Sequence, residues 1–226
     1  MTIPLVVIGA GGFGRETLDV IEAINAVTPV PKYEVLGVID AQPSQQNLQR
    51  LADRRINYLG TESDWLARAQ HAQFVVGIGS PALRLLVAER FAQFGFMAAT
   101  LIHPSSGIGS MSQIAAGSVI CAGVQVSTNV QLGRHVHLNA NSTVGHDSVL
   151  ADFVSVNPGA IISGEVRVET GCLLGAGSVV LQGLTVAAGA VVGAAACVTR
   201  DVSGNATVVG VPARERTTDP RRTVLH

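Results

Sequence analysis

An Ile, Leu or Val occupies every sixth position of the chain from Ile102 to Val198, without a break in register. A period of six fits neither an α-helix nor an alternating β-strand, so it requires a repeat architecture. It is typical of a β-solenoid whose short sides each point one aliphatic side chain inwards. The residue after the aliphatic one often tolerates a tight turn, and we expect the corners there: Gly109, Gly133, Asn139, Gly145, Asn157, Gly175 and Gly193. The second half of the chain is therefore predicted to be a hexapeptide-repeat β-helix.

The first hundred residues follow a different pattern, in which short apolar strands alternate with helices. Residues 5–8, 35–39 and 74–78 resemble buried strands, and residues 65–72 and 81–93 resemble helices. This alternation predicts a small parallel sheet with crossover helices, about half of a doubly wound fold. We expect three segments: an α/β Rossmann-like domain over 1–100, an all-β solenoid over 101–213 and a flexible charged tail over 214–226.

A glycine-rich turn lies between the first predicted strand and the first helix. Gly9, Gly11 and Gly14 have the G-x-G-x-x-G spacing that lets backbone N–H groups approach a phosphate at a helix N-terminus. Asp40, at the end of the second strand, is suited to accept hydrogen bonds from a ribose or a base. A dinucleotide dehydrogenase is disfavoured because the second half of the sheet is missing, so we expect a mononucleotide or a nucleotide sugar.

Composition narrows the possible partners. The net charge of -1 provides no basic surface for nucleic acid or anionic lipid. The sequence contains neither a signal-peptide pattern nor an apolar run long enough for a transmembrane helix. Its three cysteines lack metal-ligand spacing and are expected to be reduced core or turn residues. We expect a cytoplasmic protein that does not insert into membranes.

His146 is the histidine best placed for proton transfer. It follows Gly145 at a predicted corner and precedes Asp147, and an imidazole beside a carboxylate is the minimum for a general base near neutral pH. A lone surface histidine at a corner is more often inert. A zinc site of the γ-class carbonic anhydrase kind needs three histidines with a particular spacing. His135, His137 and His146 do not have that spacing, so no metal is expected.

Five motifs in order resemble one family over most of the chain. They are GAGGFGRE at 9–16, GIGSPALR at 77–84, LIHPSS at 101–106, GHD at 145–147 and GVPAR at 210–214. This combination is similar to the bacterial sugar O-/N-acyltransferases of the NeuD/PglD/PerB type. The resemblance implies a left-handed β-helix, a homotrimer with active sites between subunits, and acetyl-CoA bound in the grooves between neighbouring chains. The handedness comes from the resemblance alone, since the period of six does not reveal it.

The resemblance also assigns roles to individual positions. His146 matches the catalytic base and Asp147 its acidic partner, and Asn139 matches a position facing the same cleft. The nucleotide-sugar pocket maps onto Gly9, Gly11, Gly12, Gly14, Asp40 and Gly79. The acetyl-CoA site maps onto Gly164, Gly175 and Ala176 along the pantetheine arm and onto Val211 and Pro212 nearer the adenine. Ser155 is assigned to the same acetyl-CoA site, where several family members have a second histidine that holds the thioester end of the donor. Its hydroxyl can still donate one hydrogen bond there, and the change leaves the identity of the acyl group open.

The expected activity is acetyl-CoA-dependent N-acetylation of a nucleotide-linked 4-amino-4,6-dideoxyhexose, by direct transfer and for glycan or surface polysaccharide biosynthesis. The alternatives are O-acetylation of a sugar of the sialic acid type and a non-catalytic trimeric nucleotide-binding scaffold. Redox chemistry with NAD is a third reading, which predicts NAD binding; we expect none.

Overall fold

The computed structural model describes residues 2–68 and 71–216. Residues 3–93 form a small α/β domain around a three-stranded parallel sheet of order β2-β1-β3. Its elements are β1 (Ile3–Ile8), α1 (Gly12–Ala26), β2 (Tyr33–Ile39), α2 (Gln45–Asp53), α3 (Glu62–Leu66), β3 (Gln73–Val76) and α4 (Pro81–Gln93). The sheet is central because β1 is apolar on both faces, and Leu5, Val6 and Val7 are completely buried.

The helix predicted at residues 65–72 is wrong in its bounds. In the structure α3 begins at Glu62 and ends at Leu66. Its start is set by a capping box in which the Thr61 hydroxyl accepts from the Asp64 N–H and the Asp64 carboxylate accepts from the Thr61 N–H. This capping signal lies before the apolar residues on which the sequence prediction depended.

Residues 101–215 form a left-handed parallel β-helix of about six coils, which confirms the predicted fold class. Its strands are β4 (Leu101–Ile102), β5 (Gly107–Ile108), β6 (Gln113–Ile114), β7 (Val119–Ile120), β8 (Gln125–Val126), β9 (Gln131–Leu132), β10 (His137–Leu138), β11 (Thr143–Val144), β12 (Val149–Leu150), β13 (Ser155–Val156), β14 (Ile161–Ile162), β15 (Arg167–Val168), β16 (Leu173–Leu174), β17 (Val179–Val180), β18 (Thr185–Val186), β19 (Val191–Val192), β20 (Cys197–Val198), β21 (Thr207–Val209) and β22 (Arg214–Glu215). From β4 to β20 the second residue of each strand is the predicted aliphatic one. Most of these side chains are fully buried and stack into one continuous core.

Every third strand pairs in register with the strand one coil away, so the solenoid is a three-sided prism with 18 residues per coil. We call the side that begins with β4 face 1, the side that begins with β5 face 2 and the side that begins with β6 face 3. The final strand, β22, pairs antiparallel with β21 on face 1. The ordered chain therefore continues past residue 213, where the flexible tail was expected to begin; residues 217–226 lie outside the described residues.

The corners differ from the prediction in one respect. From Ile108 to Val192 the residue with positive φ is the third after each aliphatic one rather than the first, as at Asn129 (φ 56°) and Asp147 (φ 61°). The residue directly after the aliphatic is small for another reason. A Cβ on Gly145 would lie 2.5 Å from the Gly164 nitrogen in the next coil, so the glycine permits close approach of two coils.

The small domain covers the first part of face 1. The first residue of each face 1 strand points away from the prism, yet Leu101, Val119, His137 and Ser155 are at most 1% exposed. Leu101 and Val119 are buried because residues of α1 and of the sheet pack on them in a shared apolar cluster. His137 lies against the Phe13 ring, and Ser155 is hydrogen-bonded to Arg84 of α4. The two domains are thus held by a continuous interface of about four coils.

Candidate active site

The predicted base and its partner form a pair at the edge between faces 2 and 3. His146 and Asp147 follow β11 at this corner, and His146 Nδ1 lies 2.7 Å from Asp147 Oδ2. A carboxylate only accepts hydrogen bonds, so the contact places the imidazole proton on Nδ1 and leaves a lone pair on Nε2. The His146 side chain is 56% exposed, so Nε2 is accessible to a substrate from outside.

Gly164 leaves the space that the imidazole occupies. It lies 18 residues after His146, at the same corner one coil later, and a Cβ there would lie 2.6 Å from Nε2. Any larger residue would displace the ring. The structure therefore brings Gly164 next to His146, as a residue that shapes the position of the base.

Asp147 has a second partner, which the sequence analysis missed. Asn129 Nδ2 donates to Asp147 Oδ1 at 2.7 Å from the same corner one coil earlier. This bond, followed by that to His146, holds the pKa of Asp147 below its usual value. The carboxylate therefore stays ionised and continues to orient His146 at neutral pH. A spacing of 18 residues, one full coil, is the only sequence signal that links Asn129 to the pair.

A separate cleft of about 560 Å³ lies at the carboxyl ends of the strands in the small domain. Of the residues predicted to bind a nucleotide sugar, this cleft is lined by Gly9, Gly11, Gly12, Asp40 and Gly79. Open α/β sheets bind their ligands at this end of the strands. The first turn of α1 borders the cleft and has no side-chain cap, so its N–H groups are available to an anionic ligand.

The predicted glycines divide into two groups. Gly11, Gly12 and Gly79 face open space, with no atom near the position a Cβ would take, so the backbone is exposed to a ligand there. Gly9 and Gly14 instead allow the chain to pack against itself. Gly9 has φ 111°, and a Cβ on Gly14 would collide with the Gly9 carbonyl oxygen. Gly14 is therefore a packing residue behind the turn rather than part of the cleft lining.

Asp40 stabilises the glycine turn directly. Its Oδ2 accepts from the Ala10 N–H at 2.7 Å, and its Oδ1 accepts from the Gln42 N–H at 2.9 Å. These bonds fix the end of β2 against the turn after β1. The carboxylate still lines the cleft and retains lone pairs for a ligand.

Ser155 is not beside His146 within the chain. It lies on face 1, is 1% exposed, and its hydroxyl donates to the Gly79 carbonyl at 3.1 Å. It also accepts from Arg84 Nη2 at 2.8 Å. Within the chain the hydroxyl proton is therefore engaged by the wall of the cleft that Gly79 lines.

Arg84 was not recognised as a site residue, although it ends the GIGSPALR motif. Its guanidinium is completely buried and donates to the backbone carbonyls of Ile78 and Gly79 in the small domain. It also donates to those of His135 and Phe153 in the solenoid. Burial lowers its pKa to about 9, so it remains charged at neutral pH. Arg84 is thus a clamp between the cleft and face 1.

The remaining predicted residues lie on another edge of the prism. Asn139 follows β10 at the edge between faces 1 and 2, where its side-chain amide donates to the Val156 carbonyl at 2.9 Å. Gly175 and Ala176 follow β16 at the same edge, two coils later. Val211 and Pro212 lie in the turn between β21 and β22, and the Val211 side chain is 75% exposed. Within a single chain these residues therefore lie on a different edge of the prism from His146, which is at the edge between faces 2 and 3.

Two further observations concern metals and membranes. Within residues 2–68 and 71–216, no three His, Cys, Asp or Glu side chains come together in a way that could hold a metal ion. Among the helices of the described chain, none combines the length and the apolar character that crossing a bilayer requires.

A small α/β domain followed by a left-handed β-helix with a His–carboxylate corner is the architecture of hexapeptide-repeat acyltransferases. A model of the PglD N-terminal domain matches residues 4–91. The GDP-perosamine N-acetyltransferase of Escherichia coli O157:H7 is 32% identical over an alignment of 223 positions that covers 95% of this chain and 96% of that protein. The chain belongs to the bacterial sugar O-/N-acyltransferase family of the NeuD/PglD/PerB type.

Solved structures agree with this assignment over nearly the whole chain. PerB from Caulobacter crescentus, in complex with CoA and GDP-perosamine, has a TM-score of 0.84 at 25% identity, covering 95% of this chain and 97% of that one. The acetyltransferase domain of PglB from Neisseria gonorrhoeae, in complex with acetyl coenzyme A, has a TM-score of 0.82 at 27% identity, covering 96% of this chain and 100% of that one. The two-domain arrangement is therefore shared as well as the solenoid.

Proposed function

We propose that this protein transfers the acetyl group of acetyl-CoA to the amine of a nucleotide-linked 4-amino-4,6-dideoxy sugar. The observation that carries the proposal is the His146–Asp147 pair, with Nδ1 held by the carboxylate and Nε2 open over Gly164. The relationship to the GDP-perosamine N-acetyltransferase of Escherichia coli supports an amino-sugar acceptor and makes GDP the first carrier to test. The reaction would be a cytoplasmic step in surface polysaccharide or glycan biosynthesis.

In the proposed mechanism His146 acts as a general base. Nε2 removes a proton from the sugar amine as its nitrogen adds to the thioester carbonyl carbon. The tetrahedral intermediate then collapses, the C–S bond breaks, and CoA leaves as a thiol after taking up a proton. Asp147 stabilises the imidazolium that forms between these steps. Within the described residues of one chain no cysteine or serine is hydrogen-bonded to His146, which favours direct transfer over an acyl-enzyme.

The small domain would hold the nucleotide. The N–H groups at the start of α1 and the open backbone at Gly11 and Gly12 suit a diphosphate, and Asp40 suits hydroxyl or base N–H donors. Gly79 lies on the wall of the cleft that touches Ser155, so the sugar would extend towards face 1.

We further propose that the active site is shared between the chains of a homotrimer. The cleft lies over face 1, whereas His146 lies on the edge between faces 2 and 3, which is the edge opposite face 1 in a three-sided prism. Residues assigned to acetyl-CoA are also divided between two edges. Exposed apolar side chains at Ile161 and Leu181, 44% and 42% exposed, offer an unpartnered surface on the face 2 side for a neighbouring chain.

Thiol release from acetyl-CoA tests the activity. GDP-, UDP- and dTDP-linked 4-amino sugars are supplied in turn to the wild type, to H146N and to H103N, a control histidine that lies in the solenoid away from Asp147. Turnover with one carrier that is lost in H146N and kept in H103N supports the proposal. Turnover that survives in H146N refutes the assigned base, and acetyl-CoA binding without turnover on any amino sugar refutes the acceptor and directs the search to hydroxyl acceptors.

Complementation tests the shared site. H146N and G79V, which places a side chain in the open cleft, are each expected to be inactive. If cleft and base come from neighbouring chains, randomly mixed trimers regain about a quarter of the wild-type activity, because one site in four combines an intact cleft with an intact His146. If both come from the same chain, the mixture stays inactive.

A further inference from the structure

The corner that carries His146 contains a chain of three side chains from two coils. Asn129 Nδ2 donates to Asp147 Oδ1 at 2.7 Å, and Asp147 Oδ2 lies 2.7 Å from His146 Nδ1. The two carboxylate oxygens are thereby assigned to different partners. None of the three side chains is enclosed, and Asp147 is 46% exposed, so packing alone does not fix the orientation of its carboxylate.

Backbone geometry brings Asn129 to this position. Asn129 and Asp147 occupy equivalent left-handed sites, with φ of 56° and 61°, in successive coils. The Asp147 N–H donates to the Thr128 carbonyl at 3.1 Å, which locks the two corners together. A side-chain amide at this site therefore meets the next coil's carboxylate at hydrogen-bonding distance. In the following coil the equivalent site is Glu165, the nearest other charged residue on this column of corners.

We propose that Asn129 is a positioning residue for the acyl transfer, acting through Asp147. By holding Oδ1 it turns Oδ2 towards His146 Nδ1, which keeps the proton on Nδ1 and the lone pair on Nε2. Without it the carboxylate rotates and exchanges its imidazole contact for water. The inference rests on the proposed function, since it assumes that His146 is the base.

Substitution by glycine isolates this role. Glycine adopts positive φ without strain, so N129G removes the amide but keeps the corner and its Asn129 N–H bond to the Ser110 carbonyl. Asn141 provides the matched control. It has the same residue type and nearly the same φ, 58°, but lies at the edge between faces 1 and 2 and makes no side-chain contact with the base.

The expected kinetic result is that N129G lowers kcat about tenfold, with little change in the KM values for acetyl-CoA and the nucleotide sugar. The pKa of Asp147 rises in N129G, because the carboxylate loses the hydrogen bond that favours its ionised form, so the fall of kcat at acidic pH begins at a higher pH than in the wild type. N141G keeps the wild-type rate and profile. An unchanged kcat and profile in N129G, or an equal loss in N141G, overturns the proposal.

A second measurement needs no turnover and separates this inference from the proposed function. In protein labelled with ¹⁵N-histidine, the His146 signal is identified by its loss in H146N, and its nitrogen shifts report the tautomer. We expect His146 protonated on Nδ1 in the wild type and in N141G, and a mixture of tautomers in N129G. If the protein proves inactive towards amino sugars but shows this pattern, the positioning role stands and the reaction is reassigned. The same tautomer in all three proteins refutes the role.

Discussion

Acidification should weaken the contact between the two domains through His135. This side chain is 7% exposed, lies between the solenoid and the small domain, and stacks on Phe153 with ring centroids 5.2 Å apart. Burial, followed by the positive charges of Arg84 and Arg134, lowers its pKa from 6.5 to about 4, against a smaller opposing effect of Asp152. The folded state therefore holds the neutral imidazole, whereas the unfolded chain takes up a proton near pH 6.5. Stability must fall as the pH drops from about 6.5 towards about 4.

The size of the effect follows from these two pKa values. At pH 5, protonation of His135 stabilises the unfolded chain by about 2 kcal/mol relative to the folded state. Below the pKa of His135 in the folded protein, the loss of folding stability levels off at about 3 kcal/mol. His137, completely buried beside the Phe13 ring, adds in the same direction. Its pKa is lowered by burial first and then by the charges of Arg84 and His135. The loss of stability at pH 5 should therefore exceed the roughly 2 kcal/mol that His135 alone accounts for.

Urea unfolding at fixed protein concentration, at pH 7.5 and at pH 5, measures this loss. H135N is the informative variant, because asparagine tolerates the positive φ of 54° at this position and cannot be protonated. Its stability at pH 7.5 will be lower, since the stacking is lost, but the drop between the two pH values should be about 2 kcal/mol smaller than in the wild type. H71N, a change at an exposed histidine, is the control and should keep the full drop. Equal drops in the wild type and H135N would refute the reasoning.

Four further predictions concern the base, the Arg84 clamp, the glycine turn and the wall of the cleft at Gly79. H146N should lower kcat at least about 100-fold with acetyl-CoA affinity unchanged, measured by thiol release and calorimetry. R84M should lose about 3 kcal/mol or more of unfolding free energy, because several buried carbonyls lose their hydrogen-bond donor. R84K should recover only part of this loss, since an ammonium group cannot reproduce the planar set of guanidinium N–H donors. Equal stability of the two variants would contradict the role of Arg84 as a clamp. G14A should destabilise the protein by about 1–3 kcal/mol, since its Cβ meets the Gly9 carbonyl oxygen. G79A should have an unfolding free energy within about 0.5 kcal/mol of the wild type, yet it should bind the nucleotide more weakly. An unchanged nucleotide affinity in G79A would contradict the assignment of the cleft as the nucleotide site.

The solenoid was predictable because its core has a simple requirement. Each side of a coil is six residues long, and its two-residue strand points one aliphatic side chain inwards, so the aliphatic period of six is imposed directly on the sequence. The corners were harder, because two positions exclude large side chains for different reasons. Gly145 is required by close approach of the next coil, whereas the site of Asp147 requires positive φ. Glycine and other turn-forming residues occur at both positions, so the sequence alone does not show which of the two positions has positive φ.

The site was predictable where its parts are local. His146 and Asp147 are adjacent in sequence, and the structure joins their side chains by a hydrogen bond. Contacts between distant segments were not predictable. Arg84 looks like an ordinary helical arginine, and only the packing of α4 against face 1 reveals its six backbone and side-chain acceptors. Ser155, nine residues after His146, lies half a coil away on a different side of the prism.

The repeat explains why chemistry collects at the corners of this fold. On each side of a coil the inward residue belongs to the core, and on face 1 the outward residue is covered by the small domain. The corners carry side chains that are free of the core on every edge of the prism, and their left-handed sites favour Gly, Asn and Asp. Because equivalent corners lie one coil apart, an asparagine and an aspartate chosen for the same backbone conformation come within hydrogen-bonding distance, as Asn129 and Asp147 do. A histidine beside such a pair, as at His146, acquires an oriented carboxylate without any further change in the fold.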